Sequence, residues 1–356
     1  MTDIDLRGAF ASATGTGAAQ ADRATVTRLP GGAGNRIYWR VRNGDQTAVV
    51  MELPPEPGKS EEVSKGEPHH ELPFLEVGRY LASLGVRVPR VLLDRQREGY
   101  LVIEDLTDRT LENALVGGDA RAIYAAAIDQ LALLRAGAEQ RPDPQGCAFK
   151  RAFDFDLYQW EFEHFIEWGL LGRGAKPTAA ELAALRTAFT RISEELAAAP
   201  RGFTHRDYQS RNIMVLPSGE QVVIDFQDAL QGPRQYDLVA LLRDSYVELE
   251  RPLIDAMLAR YLEKLAALGG PRLDAGGFTG FFDLLTVQRK LKDAGRFVFI
   301  DQVKKNPSFL VHIPASLRYV KDALARLQGR PELAEVSAIL ARHVPELSLG
   351  ERAEPG

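Results

Sequence analysis

Apolar positions along the chain change their spacing near residue 106. Up to there they come mostly as short β-branched or alternating runs; beyond it they recur at helical spacing. Residues 1 to about 20 predict an Ala-rich helix that ends in Gly15-Thr16-Gly17. Thr25 to Leu29, the turn Pro30-Gly-Gly-Ala-Gly-Asn35 and Arg36 to Val41 read as strand, Gly-rich turn, strand, and Gln46 to Leu53 reads as a third strand. Pro54 to Glu71 is rich in Pro, Gly and charge, the composition of a mobile loop. A helix follows from Leu72 to Leu84, with Leu72, Leu75, Tyr80, Leu81 and Leu84 near one face, and Gly85 stops it. Two further strands are expected at Val88 to Leu93 and Tyr100 to Leu106. Helical periodicity then covers Ala120 to Gly137, Phe155 to Gly169, Ala179 to Ala198, Leu253 to Leu268 and Phe278 to Val303, with weaker segments from Ala315 and Pro331 onward. No internal repeat interrupts this order. The expectation is an α+β chain in two lobes: a small antiparallel-sheet lobe, 1–105, and a larger helical lobe, 106–356.

Composition narrows the class. At 356 residues the chain is long for one core, and 45% hydrophobic with 26% charged residues is ordinary for a soluble globular protein. A net charge of -5 argues against a general nucleic-acid binder. The single Cys147 allows no internal disulfide, which suits a reducing compartment. No apolar run is long enough to cross a bilayer, and Met1-Thr-Asp-Ile-Asp5 lacks the basic and apolar regions of a signal peptide. We expect a cytoplasmic protein, a monomer, with neither nucleic acid nor membrane as partner.

One stretch carries candidate chemistry. His205-Arg206-Asp207-Tyr208-Gln209-Ser210-Arg211-Asn212 is followed, after a turn at Leu216 to Glu220 and a β-branched run from Gln221, by Ile224-Asp225-Phe226. A lone Asp in a loop is usually a turn former or a cap. Here a carboxylate, an amide and a second carboxylate occur in the order that phosphoryl transfer from ATP requires. Asp207 would accept the proton of the attacking hydroxyl, while Asn212 and Asp225 would hold magnesium on the phosphates. The chain has no GxxxxGK[ST] phosphate loop. Gly31, Gly32 and Gly34, with Asn35 and Arg36, form instead a partial Gly-rich turn whose N–H groups suit phosphate oxygens; as a hairpin it reads equally as a plain turn. Glu104, Asp105 and Leu106 fall where the two lobes meet and where backbone groups would read adenine.

The loop His205 to Asn212, together with Ile224-Asp-Phe-Gln-Asp-Ala229 and Gly232-Pro-Arg-Gln-Tyr-Asp-Leu238, resembles the aminoglycoside phosphotransferase (choline kinase-like) superfamily. That resemblance implies a two-lobed protein-kinase-like fold, and it implies that Asp237 supports the catalytic loop from behind. Within the superfamily, Val49-Val-Met-Glu-Leu-Pro-Pro55, the Asp225 to Asp244 region and Asp283-Leu-Leu-Thr-Val-Gln-Arg-Lys-Leu-Lys292 are similar to bacterial cell-wall sugar kinases that act on N-acetylmuramate and N-acetylglucosamine. The implied function is ATP-dependent phosphorylation of the anomeric hydroxyl, with ATP and Mg2+ as cofactors, in peptidoglycan recycling. One departure stands out: the third strand has Met51 where protein kinases place a phosphate-binding lysine. The anomeric sugar kinases share the lysine-free strand, so Gly-turn amides, Arg36, Lys59 or Lys65 would have to offset phosphate charge. Glu76 is the candidate for the partner glutamate of that absent lysine.

Two alternatives stay open: another small-molecule kinase of this fold, acting on an aminoglycoside, amino alcohol or other sugar, and a non-catalytic nucleotide-binding regulator. For the amino-sugar substrate, Arg211 and a late basic cluster of Arg289, Lys290, Lys292 and Arg296 offer partners for the lactyl carboxylate of N-acetylmuramate, or else form a solvated helix face. Glu161, Glu163, His164 and Trp168 on one predicted helix are candidates to line the sugar site, while Trp160 and Phe165 read as core.

Overall fold

In the computed structural model the described residues are 4–30, 36–54 and 71–348. The Gly-rich turn at 31–35 and residues 55–70 of the expected mobile loop, with Lys59 and Lys65, lie outside them. In chain order the elements are α1 (Leu6–Thr14), α2 (Ala18–Ala21), β1 (Thr25–Arg28), β2 (Ile37–Asn43), β3 (Gln46–Glu52), α3 (Pro73–Ser83), β4 (Val91–Arg95), β5 (Tyr100–Glu104), α4 (Leu111–Ala114), α5 (Ala120–Gln140), α6 (Phe155–His164), α7 (Ala179–Ala198), β6 (Arg201–Thr204), β7 (Ile213–Val215), β8 (Gln221–Val223), β9 (Leu230–Pro233), α8 (Tyr236–Leu242), α9 (Arg251–Ala267), α10 (Ala275–Gln302), α11 (Ile313–Arg326) and α12 (Pro331–His343). The α+β class is as the periodicity indicated.

The chain divides into two units, and not at 105/106. The first comprises 1–117 and 211–228; the second comprises 118–210 and 229–356. The chain therefore returns to its first unit after residue 210. The physical reason lies in the β7–β8 hairpin: Val223 donates its N–H to the Arg87 carbonyl, Val215 to that of Arg109, and Met214 with Val222 shares an apolar cluster with Leu106.

In the first unit a five-stranded antiparallel sheet has the order β1-β2-β3-β5-β4. Central strand β3 is buried over Ala48 to Met51, so it reads as an apolar run rather than an alternation. Its side chains still alternate by face. Ala48 and Val50 join Phe10 of α1, Val41 and Val102 in one cluster, and fully burying Phe10 contributes roughly 1.5–3 kcal/mol. Met51 belongs to the opposite face, registered with Tyr38 and Leu101. Helix α1 is capped by Asp5, whose carboxylate accepts from Gly8 N–H at 2.9 Å.

The second unit is helical apart from the short β6–β9 ladder. Its long helix α10 is capped by Asp274 and is buried over nearly every position from Phe282 to Lys292. The helix expected over 155–169 is regular only to His164 and continues as a π-helical turn over Phe165–Leu170. The cause is a close crossing with α10: a Cβ on Gly295 would meet the Phe165 backbone at 2.9 Å, so only glycine admits this approach.

Helix α7 opens on a full capping box, Thr178 with Glu181, and Glu181 also pairs with Arg342 and His343 of α12. The Thr178 N–H, helped by Arg342 and His343, pulls the Glu181 carboxyl from its ordinary 4.5 to about 2. A carboxyl depressed on folding stabilises the fold above its unfolded pKa and loses that contribution as pH falls through its folded one. We therefore expect the Tm difference between wild type and Glu181→Gln to hold above pH 4.5 and to close as pH falls toward 2. A difference independent of pH would assign the Gln defect to packing alone.

Candidate active site

The loop from His205 to Asn212 passes from the second unit into the first between Ser210 and Arg211. In the second unit two buried carboxylates hold it. Asp237, 4% exposed at the start of α8, accepts from His205 N–H at 2.8 Å and from Arg206 N–H at 2.9 Å. Asp244, 1% exposed just after α8, accepts from Ser210 N–H at 2.8 Å and from Tyr246 N–H at 3.0 Å. Burial pushes both carboxyls up, and the donated N–H groups oppose that rise. His205 is buried, and its Nδ1 accepts from Asp207 N–H at 3.2 Å. Tyr208 anchors the far side by donating its hydroxyl to the Ala127 carbonyl of α5 at 2.9 Å. Arg206 sits at φ 80, in the left-handed region that a non-glycine residue adopts only when its surroundings hold it there. Asp207 itself is about one-third exposed at its side chain, which leaves the carboxylate reachable.

In the first unit Asn212 and Asp225 come together, with Asn212 Nδ2 3.5 Å from Asp225 Oδ2. The strand that leads to Asp225 is Gln221–Val223 and stops two residues before it. Ile224 then bonds back to the Asn212 carbonyl at 3.0 Å, and Asp225 takes φ 64. Gln227 Nε2 donates to Asp225 Oδ1 at 2.7 Å and lies 3.4 Å from Asp228 Oδ2. Next to Asp225, Phe226 is buried and stacks on Phe74 of α3 at 5.1 Å, and its ring would lie 3.2 Å from a Cβ on Gly78. Tight packing of Phe226 on α3 thus fixes the strained aspartate.

Asp225, Asn212 and Asp228 offer hard oxygen donors, the kind magnesium takes when it keeps several waters and shares phosphate oxygens. Among the described residues no group of three or more His, Cys, Asp or Glu is placed to hold a metal ion. Met51 is fully buried and apolar, with Tyr38 opposite it in the ladder. Burial pushes the Tyr38 phenol up; Arg36, hydrogen-bonded to it, opposes the rise, and Asp225 adds to it. Arg36 and Asp225 therefore both neighbour one phenol on the Met51 face of the sheet.

Leu106 joins Met214 and Val222, with Leu216 and Ile224 packed alongside, in an apolar cluster. Met214 and Ile224 carried no signal in the sequence beyond apolar character. Glu104 and Asp105 have committed side chains: Glu104 to Arg87 and Arg90 N–H, Asp105 to Arg40 at 2.9 Å and Thr107 N–H at 3.0 Å.

The expected substrate residues fare unequally. Arg211 spends Nε and Nη2 on Glu112, at 2.7 and 3.1 Å, so it ties the loop to α4 within the first unit. Glu161 is fully buried and accepts from Gln288 Nε2 at 2.6 Å, and Glu163 pairs with Arg186. Arg289, Lys290 and Lys292 are 2%, 2% and 8% exposed, which corrects the reading of a solvated helix face. The cause is the burial of α10 on all sides. Lys290 and Lys292 both pair with Asp293, whose carboxyl they hold far below its ordinary range against the opposing effect of burial. Trp168 is half-buried, edge-on to Phe299 at 5.3 Å, and Arg296 lies over the Phe299 ring at 5.0 Å. Phe165 is core as expected; Trp160 is not, being 43% exposed and stacked on His164.

The model of the phosphotransferase enzyme family matches residues 25–274. The N-acetylmuramate/N-acetylglucosamine kinase of Pseudomonas aeruginosa is 34% identical over 309 residues, 86% of this chain and 85% of that protein. The kinase of the same name from Pseudomonas putida is 30% identical, covering 92% of this chain and 90% of its own. Among solved structures, a choline kinase from Streptococcus pneumoniae aligns with TM-score 0.57 at 15% identity over 84% of this chain and 93% of that one. An ADP-bound aminoglycoside phosphotransferase aligns with TM-score 0.53 at 16% identity, over 83% and 92%. The fold is therefore the protein-kinase-like one of choline kinases and aminoglycoside phosphotransferases, and with the family model matched from the first strand to the start of α10, the chain belongs to the phosphotransferase enzyme family.

Proposed function

We propose that the chain transfers the γ-phosphoryl group of ATP to the anomeric C1 hydroxyl of N-acetylmuramate and N-acetylglucosamine. The observation that carries this reading is its similarity, over most of both chains, to kinases bearing those substrates in their names. Asp207 orients the C1 hydroxyl and takes its proton. The bond from the γ-phosphorus to the bridging oxygen of ADP breaks while the bond to the sugar oxygen forms, so ADP and the sugar 1-phosphate leave. An anomeric hydroxyl is more acidic than an ordinary alcohol, so a modest base suffices and placement dominates.

Asn212 and Asp225 would hold magnesium, which when bound offsets phosphate charge. Arg36 meets the phosphates from the Met51 face, and Leu106, Met214 and Ile224 receive the adenine. Gly31, Gly32, Gly34 and Asn35 remain candidates for the phosphate turn. Trp168 is the ring offered to the sugar.

The test is a coupled ADP-release assay with magnesium-ATP against N-acetylmuramate, N-acetylglucosamine, glucose, kanamycin and choline, with the product read by phosphorus NMR. The expected result is a 1-phosphate on both N-acetyl sugars. Turnover of choline or kanamycin with silence on both sugars would keep the phosphotransferase and discard the substrate.

A further inference from the structure

Arg289 was a candidate reader of a substrate carboxylate, but its surroundings give it other work. Its Nη1 donates to the Arg206 carbonyl at 2.8 Å and its Nη2 to Asp207 Oδ1 at 3.3 Å. The guanidinium lies over the Tyr236 ring, 4.7 Å from its centre, and the residue is 2% exposed. We propose that Arg289 is a positioning residue for Asp207: its planar fork bridges the strained Arg206 peptide and the carboxylate that takes the proton.

Three features favour this over carboxylate reading. A substrate reader must present donors to solvent, and this side chain presents almost none. The fork completes a grip begun by Asp237: that carboxylate takes the N–H groups of His205 and Arg206, while Arg289 takes the carbonyl of Arg206 and the carboxylate of Asp207. Donors and acceptors of one three-residue segment are thereby held from two helices, at the place where Arg206 adopts φ 80. The charge is also locally balanced. Burial disfavours the cation, but Tyr236, Asp293, Asp207 and Glu161 around it hold Arg289 protonated. Asp207, which accepts from Nη2 at 3.3 Å, is the counter-charge paired directly with this buried guanidinium. Lysine, a point charge on a flexible stem, does not reproduce a planar bridge between two oxygens.

The inference deepens the function proposed above and takes its acceptors from it. The test measures kcat and KM of wild type, Arg289→Met and Arg289→Lys on N-acetylmuramate and on N-acetylglucosamine, with and without added guanidinium ion, alongside ATP affinity. A displaced base predicts a loss of kcat of roughly a hundredfold in the Met variant, equal for both sugars, with KM and ATP affinity unchanged. Guanidinium should return part of the Met variant's rate, and the Lys variant should show a smaller loss, again equal for the two sugars. A rise in KM confined to N-acetylmuramate, with N-acetylglucosamine turnover intact, would overturn the proposal in favour of carboxylate reading. So would a wild-type kcat in the Lys variant, which also decides the matter if the Met variant does not fold. If wild type itself is silent on both sugars, the substrate reading fails; slow ATP hydrolysis then tests the clamp, a lower rate in the variants supporting it and an equal rate overturning it.

Discussion

Asp207→Ala should lower kcat by roughly 10²–10⁴-fold, the usual contribution of a positioned general base, while ATP affinity stays unchanged. The separation follows from where the residues lie. Asp207 is held within the second unit by Arg289 of α10, and its neighbours His205 and Arg206 by Asp237 of α8, whereas Asn212, Asp225, Arg36 and the Leu106 cluster belong to the first. Removing one partly exposed carboxylate leaves the first unit's groups untouched. Asp207→Asn should be as inactive, because it keeps the shape and loses the proton acceptor. Steady-state kinetics and calorimetric ATP titration check this, and near-normal turnover in either variant would remove Asp207 from its role.

A second large effect is expected at a residue that touches no substrate. Asp237→Ala leaves two buried N–H donors, those of His205 and Arg206, without their carboxylate. Each orphaned donor costs roughly 1–3 kcal/mol, so denaturant unfolding should show a loss of about 2–6 kcal/mol. The damage should be local as well as global. With the grip on one side released, the left-handed Arg206 can relax, and Asp207 moves with it. We expect kcat to fall with ATP affinity retained, and faster hydrogen exchange at the amides of His205 and Arg206. Asp237→Asn, which keeps one acceptor oxygen, should recover part of the stability. Full stability in the Ala variant would mean that the loop is held from elsewhere.

Much of the fold was legible because strands and helices write local periods into the sequence. Helix α7 runs over Ala179–Ala198 as its spacing indicated, because Thr178 and Glu181 announce its start. The ladder strands β6 and β9 went unread: four residues each, one of them Leu-Gln-Gly-Pro, carry too little alternation. The π-helical turn after His164 was equally invisible, since it arises from a crossing with Gly295, 131 positions beyond that histidine. Of the site, Asp207, Asn212 and Asp225 were legible from order and spacing, and Asp237 from resemblance. Asp244 stood in plain view in Leu241-Leu-Arg-Asp244 but had no assigned partner until Ser210 was placed against it.

The basic cluster on α10 marks the boundary most clearly. Its sequence determined that Arg289, Lys290 and Lys292 share a helix, and by itself admitted a solvated face or a substrate site. What surrounds a helix is decided by elements distant in sequence: Asp207 lies 82 positions from Arg289, and Glu161 lies 127 from Gln288. The sequence alone therefore determined the candidate site's residue types and their order, because those follow from short-range spacing on one loop and one hairpin. Only tertiary structure decided which charges are buried and whom they hold, because burial and pairing depend on packing that no local period encodes.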